Sequence, residues 1–253
     1  MAPSWSTKRQ LLYLIGVFGV LLFLGSFSLY KALYPEASCV DKKQNQNETG
    51  IDCGGVCSDA CFEDVRPLIT LWTRVLPAGE GKYDAVGFIE NPNIQAGIPA
   101  IAYIFKLYDK DNLLVAERSG KTFINPNERL VIFSGGIRTG TRIPTRAFLA
   151  FQTDPKWVQS LIEQPPLVIQ NIQFTSDKNP LVEATITNRS FSPQRNVVVT
   201  ATLFDNNGNV FATSETIVNQ LLPDASEPIF FTWPKSFDKE PVKIDVIPRI
   251  SVF

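Results

Sequence analysis

The stretch from Asn196 to Val218, NVVVTATLFDNNGNVFATSETIV, decides how the chain folds. Val197, Val199, Ala201 and Leu203 alternate with their neighbours, so an extended strand places all four on one face, ready to bury against an opposing layer. The run is rich in β-branched residues, which pack well on a pleated surface. It ends in Asp205-Asn206-Asn207-Gly208, residues that accept positive φ and close tight turns. A second β-branched run follows at once. The pattern predicts an antiparallel hairpin of strands 196–204 and 210–218.

The same texture extends over residues 64–253, with no long segment at helical period. Predicted strands in the first half are 68–75, 83–90, 100–108, 113–122, 129–136 and 146–152. Those in the second half are 167–175, 181–187, 196–204, 210–218, 227–233 and 242–247. Turn residues such as Pro92, Pro126-Asn127 and Pro223-Asp224 fall between them. The halves are copies. The frame from Tyr83 to Asn91 matches that from Pro180 to Asn188, and Leu107-Tyr108-Asp109 matches Leu203-Phe204-Asp205. Pro126 meets Pro223, and Val131-Ile132-Phe133 meets Ile229-Phe230-Phe231. In the first copy Asp109-Lys110-Asp111-Asn112 forms the equivalent turn, with Asn in place of Gly. A period near 97 residues marks a tandem domain, since solenoid units repeat every ~20–50 residues. Six or so short strands per copy predict two tandem antiparallel β-sandwiches of immunoglobulin or fibronectin-III type, spanning 64–158 and 167–253. A proline-stiffened linker, 159–166 (QSLIEQPP), joins them. Trp157, Val158, Leu161 and Ile162 at helical spacing predict a short helix over 154–163, bracing that joint.

Phe105-Lys106-Leu107-Tyr108-Asp109 spells F-x-L-Y-D and resembles the signature of FxLYD domains of bacterial envelope proteins. The second copy departs at the first and fourth positions, with Ala201 and Phe204, but keeps Leu203 and Asp205. That group is similar to late-embryogenesis-abundant type 2 domains. The resemblance implies fibronectin-III-like sandwiches displayed outside the cytoplasm, with no catalytic residues to transfer.

Ahead of the β region, residues 11–30 (LLYLIGVFGVLLFLGSFSLY) carry no charge. Twenty residues of helix rise ~30 Å, the thickness of a hydrocarbon core. Lys8, Arg9 and Lys31 bound the run, and Tyr13 and Tyr30 sit where aromatic rings favour the headgroup level. A cleavable signal peptide has an apolar region of only ~7–15 residues, and Ser26-Phe27-Ser28 is a poor cleavage site. Ala37-Ser38-Cys39 is a poor lipidation box, because Glu36 stands where an aliphatic residue is wanted. The run is therefore expected to span a membrane, its partner being lipid. The basic leader, residues 1–10, favours a cytoplasmic N-terminus and an extracytoplasmic remainder at the cell membrane.

All four cysteines, Cys39, Cys53, Cys57 and Cys61, lie in the polar segment 31–63. Their number and clustering predict a disulfide framework in an oxidising compartment, with three pairings open. Gly54-Gly55 supplies conformations that residues with a Cβ avoid. Asp41, Asn45, Asn47, Glu48 and Asp52 concentrate hard oxygen donors at a density that suits Ca²⁺, though turn-rich polar loops have the same composition. Four thiolates can also bind zinc or an iron–sulfur cluster, but the C-x3-C-x3-C spacing differs from paired C-x2-C. The segment resembles a short motif of bacterial cell-surface proteins, C-x-D followed by N-x-x-E-T-G-x-D-C-G-G-x-C. That resemblance implies a location and no activity.

The chain has no histidine, which removes Ser-His-Asp and Cys-His machinery. A net charge of −1 gives no basis for nucleic-acid binding. Asp109 and Asp205 open hairpins and are expected to cap turns. Ser134-Gly135-Gly136 lacks the Lys-Ser/Thr of a phosphate loop. Trp72, Trp157 and Trp233 are expected in cores or at a domain junction, with a ligand platform as the alternative. Asn47-Glu48-Thr49 and Asn188-Arg189-Ser190 match the glycosylation sequon. Apart from Ca²⁺, no cofactor is expected. The function expected is a non-enzymatic, single-pass binding or scaffold protein with envelope protein partners. The alternatives are an accessory subunit of a secretion, pilus or transport complex, and a carboxylate-based hydrolase, which would need a deep pocket with two convergent acids.

Overall fold

In the computed structural model the uncharged run lies within one helix, α1 (Trp5–Leu33), and the described residues beyond 68 form strands joined by turns and loops. Described are residues 5–33, 38–45, 47–151, 155–176 and 178–253; the first four residues of the basic leader, Glu36-Ala37 of the lipidation box and residues 152–154 of the expected helix lie outside these. The chain divides into one unit through Cys57 and another from Ser58 onward. In α1 a 25-residue span, Arg9–Leu33, is long and apolar enough to cross a membrane, and no protein surface covers it. At ~1.5 Å per residue it reaches ~38 Å, enough to span with some tilt.

The second unit begins its sheets with β1 (Ile69–Gly79), β2 (Lys82–Glu90), β3 (Ala96–Asp109), β4 (Leu114–Ile124), β5 (Arg129–Arg138), β6 (Pro144–Phe151) and the two-residue β7 (Val158–Gln159). The second copy supplies β8 (Leu167–Thr175), β9 (Leu181–Asn188), β10 (Gln194–Phe204), β11 (Val210–Leu221), β12 (Ser226–Thr232) and β13 (Lys243–Arg249). In the first copy β1-β2-β5 form one sheet and β4-β3-β6 the other, with β7 on β3. In the second, β8-β9-β12 and β11-β10-β13 repeat that order strand for strand. Every pairing is antiparallel. Each sandwich has its own core. Ile89, Phe105, Leu107 and Leu130 are buried in the first, and Val182, Val199, Leu203 and Phe231 in the second.

Two expectations are corrected by the pairing. Ala85 faces Ser134, and Val182 faces Phe231. The copies therefore align at 97 through this strand as well, so Ile132 corresponds to Ile229 and Phe133 to Phe230. The expected match was slipped by one residue, which would turn core positions outward. The helix expected over 154–163 is not formed by the described residues. Val158-Gln159 instead pairs with Ala96-Gly97, and residues 58–60 pair in turn on β7 through Gln159 N–H to Ser58 C=O and Ala60 N–H to Trp157 C=O. Trp157 thereby enters the first core, and Gln159, placed in the linker by sequence, belongs to the sheet.

The copies do not hang apart on their linker. Trp72, Leu76, Val86, Phe88, Val131 and Phe133, on the outer face of β1-β2-β5, pack against Phe204 and Val210 of β10 and β11. Strands β5 and β10 are thus covered on both faces, which explains why Leu130-Val131-Ile132-Phe133 and Val197-Val198-Val199 read as continuous apolar runs where a one-sided strand would alternate.

Candidate functional site

The repeated aspartate is a hairpin cap in both copies. Asp109 Oδ1 accepts from the N–H groups of Asp111 and Leu113, both at 3.0 Å, and Oδ2 accepts from Arg142 at 2.7 Å. Asp205 Oδ1 accepts from Asn207 and Asn209 N–H, and Oδ2 from Lys239 at 2.6 Å. Burial alone would raise the Asp109 pKa, but the Leu113 N–H, Arg142 and the Asp111 N–H together hold it below the ordinary value. Lys239 and the two N–H groups do the same at Asp205. The turns close on Asn112 and Gly208 at φ 62° and 73°, as their composition requires.

A second repeated device escaped sequence reasoning. Asn91 and Asn188 are fully buried, and each ties together the corner where its strand ends. Asn91 Nδ2 donates to the carbonyls of Ala96 and Asn125, and its Oδ1 accepts from Asn93 N–H. Asn188 Nδ2 donates to the carbonyls of Ser192, Leu221 and Leu222, and its Oδ1 accepts from Ser190 N–H. The two asparagines had served as alignment landmarks; their recurrence beside turn residues was the available signal. Because its amide is buried and engaged, Asn188 cannot accept a glycan in the folded chain.

At the junction, Glu128 and Arg249 form a buried two-point ion pair, with Nε to Oε1 at 2.7 Å and Nη2 to Oε2 at 3.1 Å. Arg249 also donates to Phe123 C=O and lies over the Phe123 ring. Asn125 donates to Ile250 C=O and accepts from Val252 N–H. The second copy's last strand is therefore latched to the first copy by charge and by backbone. Nearby, burial raises the Glu215 pKa, opposed by Arg249 and Thr200. Asp84, buried behind the β2–β5 bulge, has its pKa pushed up to about 6 by burial, although Gly136 N–H donates to it at 2.8 Å.

Beside the junction opens a groove of about 890 Å³. Leu76 to Gly79, at the β1–β2 hairpin, form one wall. Residues 233–239, between β12 and β13, form the other, with Val210 and Phe211 below. Phe237 holds that loop: it stacks on Phe174 and meets Phe211 and Trp233 edge-on. Trp233 Nε1 donates to Thr213 C=O. Among the described residues the groove's lining includes Lys178, Lys235 and Lys239 and the carboxylate Asp238.

In the cysteine loop, Cys39 bonds to Cys57, and Cys53 and Cys61 are also disulfide-bonded. Gly54 and Gly55 take φ 70° and 58°, and a Cβ on Gly55 would collide with the Asn47 carbonyl. The expected calcium donors are largely occupied by the loop's own N–H groups. Both Asp52 oxygens accept from Lys42 N–H. Asp41 accepts from Lys43 N–H and Asn45 Nδ2, and Glu48 from Asn45 N–H. Asn47 is exposed. Among the described residues the group whose ligand atoms converge is Cys39, Glu48 and Cys57, where both sulfurs are already oxidised. Within the signature, Phe105, Leu107 and Leu203 point into cores, Tyr108 turns outward onto Phe148, and Phe204 enters the junction.

No protein-family model matches the sequence, and no curated protein does. Among solved structures, the crystal structure of red sea bream transglutaminase is similar at 9% identity and a TM-score of 0.23, over 72% of this chain and 30% of that one. The chain thus spans under a third of that protein's length.

Proposed function

We propose that this is a single-pass membrane protein whose twin sandwiches form a rigid, non-enzymatic binding or scaffold arm outside the cytoplasm, of the kind the FxLYD resemblance implies. One observation carries this reading. The charge-free stretch of α1 presents Leu12, Phe18, Leu21, Phe23 and their neighbours with no protein to cover them. A fully exposed Leu or Phe side chain forgoes ~1.5–3 kcal/mol of burial, so lipid is the natural solvent for so many together. Disulfide-bonded cysteines support an oxidising side for the remainder. The apolar junction and the buried ion pair support a rigid arm, because both resist relative motion of the sandwiches. The test is alkaline carbonate extraction of membranes, followed by protease added to intact cells. The chain is expected to remain in the membrane pellet and to lose its C-terminal sandwiches to the protease. Release into the supernatant, or a protected C-terminal portion, overturns the proposal.

A further inference from the structure

We propose that the groove beside the sandwich junction is a binding site for a small molecule with an apolar body and a negatively charged group. The inference goes beyond membrane anchoring, and the two can fail separately.

The first argument is that one wall is remade in the second copy. The connection between β5 and β6 covers residues 139–143, whereas that between β12 and β13 covers 233–242. The two paths are equal in length, since Phe133 matches Phe230, Arg142 matches Lys239, and Ala147, opposite Leu107, matches Ile244, opposite Leu203. In the second copy Trp233-Pro234-Lys235-Ser236-Phe237 stand where the first has Gly136-Ile137-Arg138-Thr139-Gly140, and strand gives way to loop. The first copy brings Arg142 to Asp109 without such aromatic residues, so the hairpin cap does not require them. They build an aromatic wall facing Leu76 and Pro77 of the other copy.

The second argument is size and chemistry. A groove of about 890 Å³ at a domain junction, apolar with a few charged groups, has the make-up of a small-molecule site, whose volumes run ~300–1,000 Å³. Its aromatic wall is held in place before any ligand arrives, by Phe237 among Phe174, Phe211 and Trp233. Pre-ordering of this kind lowers the entropic cost of binding.

The third argument is charge. Lys239 is engaged by Asp205, but Lys178 and Lys235 are exposed on the rim and enter no ion pair among the described residues. Asp238 is the one acid among the described residues of the lining. The rim therefore favours an anion, while Leu76, Pro77 and Phe211 offer contact to a hydrocarbon or aromatic body.

The experiment uses the full chain in nanodiscs of zwitterionic lipid, with empty nanodiscs as reference. Two fluorinated probes, 4-(trifluoromethyl)phenylacetate and its neutral amide, are followed by ¹⁹F NMR. The carboxylate is expected to bind saturably with one-to-one stoichiometry, and the amide about fivefold or more weakly. The double substitution Lys178→Glu/Lys235→Glu is expected to weaken the carboxylate about tenfold or more and leave the amide nearly unchanged. Lys110→Glu, in the β3–β4 turn of the first copy and outside the groove's described lining, should alter neither. No saturable binding above empty nanodiscs overturns the proposal. So does equal binding of both probes, or carboxylate binding indifferent to the two lysines.

Discussion

The copies differ most instructively in how they fill their cores. In the first, Tyr103 and Phe105 on β3 face Ser134 on β5; the corresponding residues of the second are Val199, Ala201 and Phe231. The aromatic bulk has moved across the core from one sheet to the other. Gly87 fits this exchange: a Cβ there would lie 2.8 Å from Leu149 and 3.5 Å from the Phe105 ring, and the second copy, which lacks that phenylalanine, has Ala184. Cores tolerate change when total volume is kept. Ala201→Phe alone should therefore cost about 1–3 kcal/mol by overpacking. Adding Phe231→Ser should recover part of that loss, giving favourable coupling in a denaturant-unfolding double-mutant cycle. Additive losses would show that the two positions do not share volume. Asp84 permits a second test at this scale. Its folded pKa is about 6 against 3.8 unfolded, so its contribution to stability is fully present below 3.8 and is lost as pH rises through about 6. Asp84→Asn keeps an acceptor for Gly136 N–H and removes the ionisation penalty. The variant should be more stable than the parent at pH 7–8, by at most about 3 kcal/mol, and the difference should vanish near pH 4. A difference independent of pH would mean that burial is not what raises the pKa.

Elements were legible where one residue type had one physical task. The hairpin turns could be read from Asp109, Asn112, Asp205 and Gly208, because capping and positive φ are local requirements. Strand positions followed from apolar runs. The 154–163 segment was misread because Trp157, Val158, Leu161 and Ile162 satisfy a helical period by chance. A tryptophan anchored in the core and a free edge on β3 outweighed that local pattern. The one-residue slip in aligning β5 with β12 arose because Val-Ile-Phe and Ile-Phe-Phe look alike, and only cross-strand pairing tells inward from outward. The caps yield their own prediction. The lowered Asp109 and Asp205 pKa values mean that each cap stabilises its hairpin above the ordinary carboxylate range and is lost as pH falls through the folded value. Asp109→Ala should speed amide exchange at Asp111 and Leu113 about tenfold while leaving Asn207 and Asn209 unchanged, read by hydrogen exchange. Equal acceleration in both hairpins would indicate global destabilisation and no local cap.

At the scale of the molecule, sequence implied two beads on a stiff linker, and the structure joins them into one body. Long-range partners carry that junction. Nothing local announces that Glu128 will meet Arg249, or that Phe133 will be covered while its counterpart Phe230 stays half exposed. The clue was indirect: where the first copy has Val86 and Val131 the second has Glu183 and Pro228, so the equivalent face of the second copy is less apolar. The contact is also between unlike faces, β1-β2-β5 of one copy against β10-β11 of the other. Two sandwiches joined through an apolar face and a buried ion pair should unfold as one. Calorimetry of the full chain in nanodiscs is expected to give a single transition for the sandwiches, with calorimetric and van't Hoff enthalpies in agreement. Glu128→Gln leaves the Arg249 guanidinium buried without its counter-charge, which costs about 3–5 kcal/mol, and that cost falls on the junction and spares both cores. The single transition should then split, with each half following the stability of one copy. Two transitions in the unsubstituted chain would mean that the copies are independent beads after all, and one undivided transition in Glu128→Gln would place the coupling in the apolar face alone.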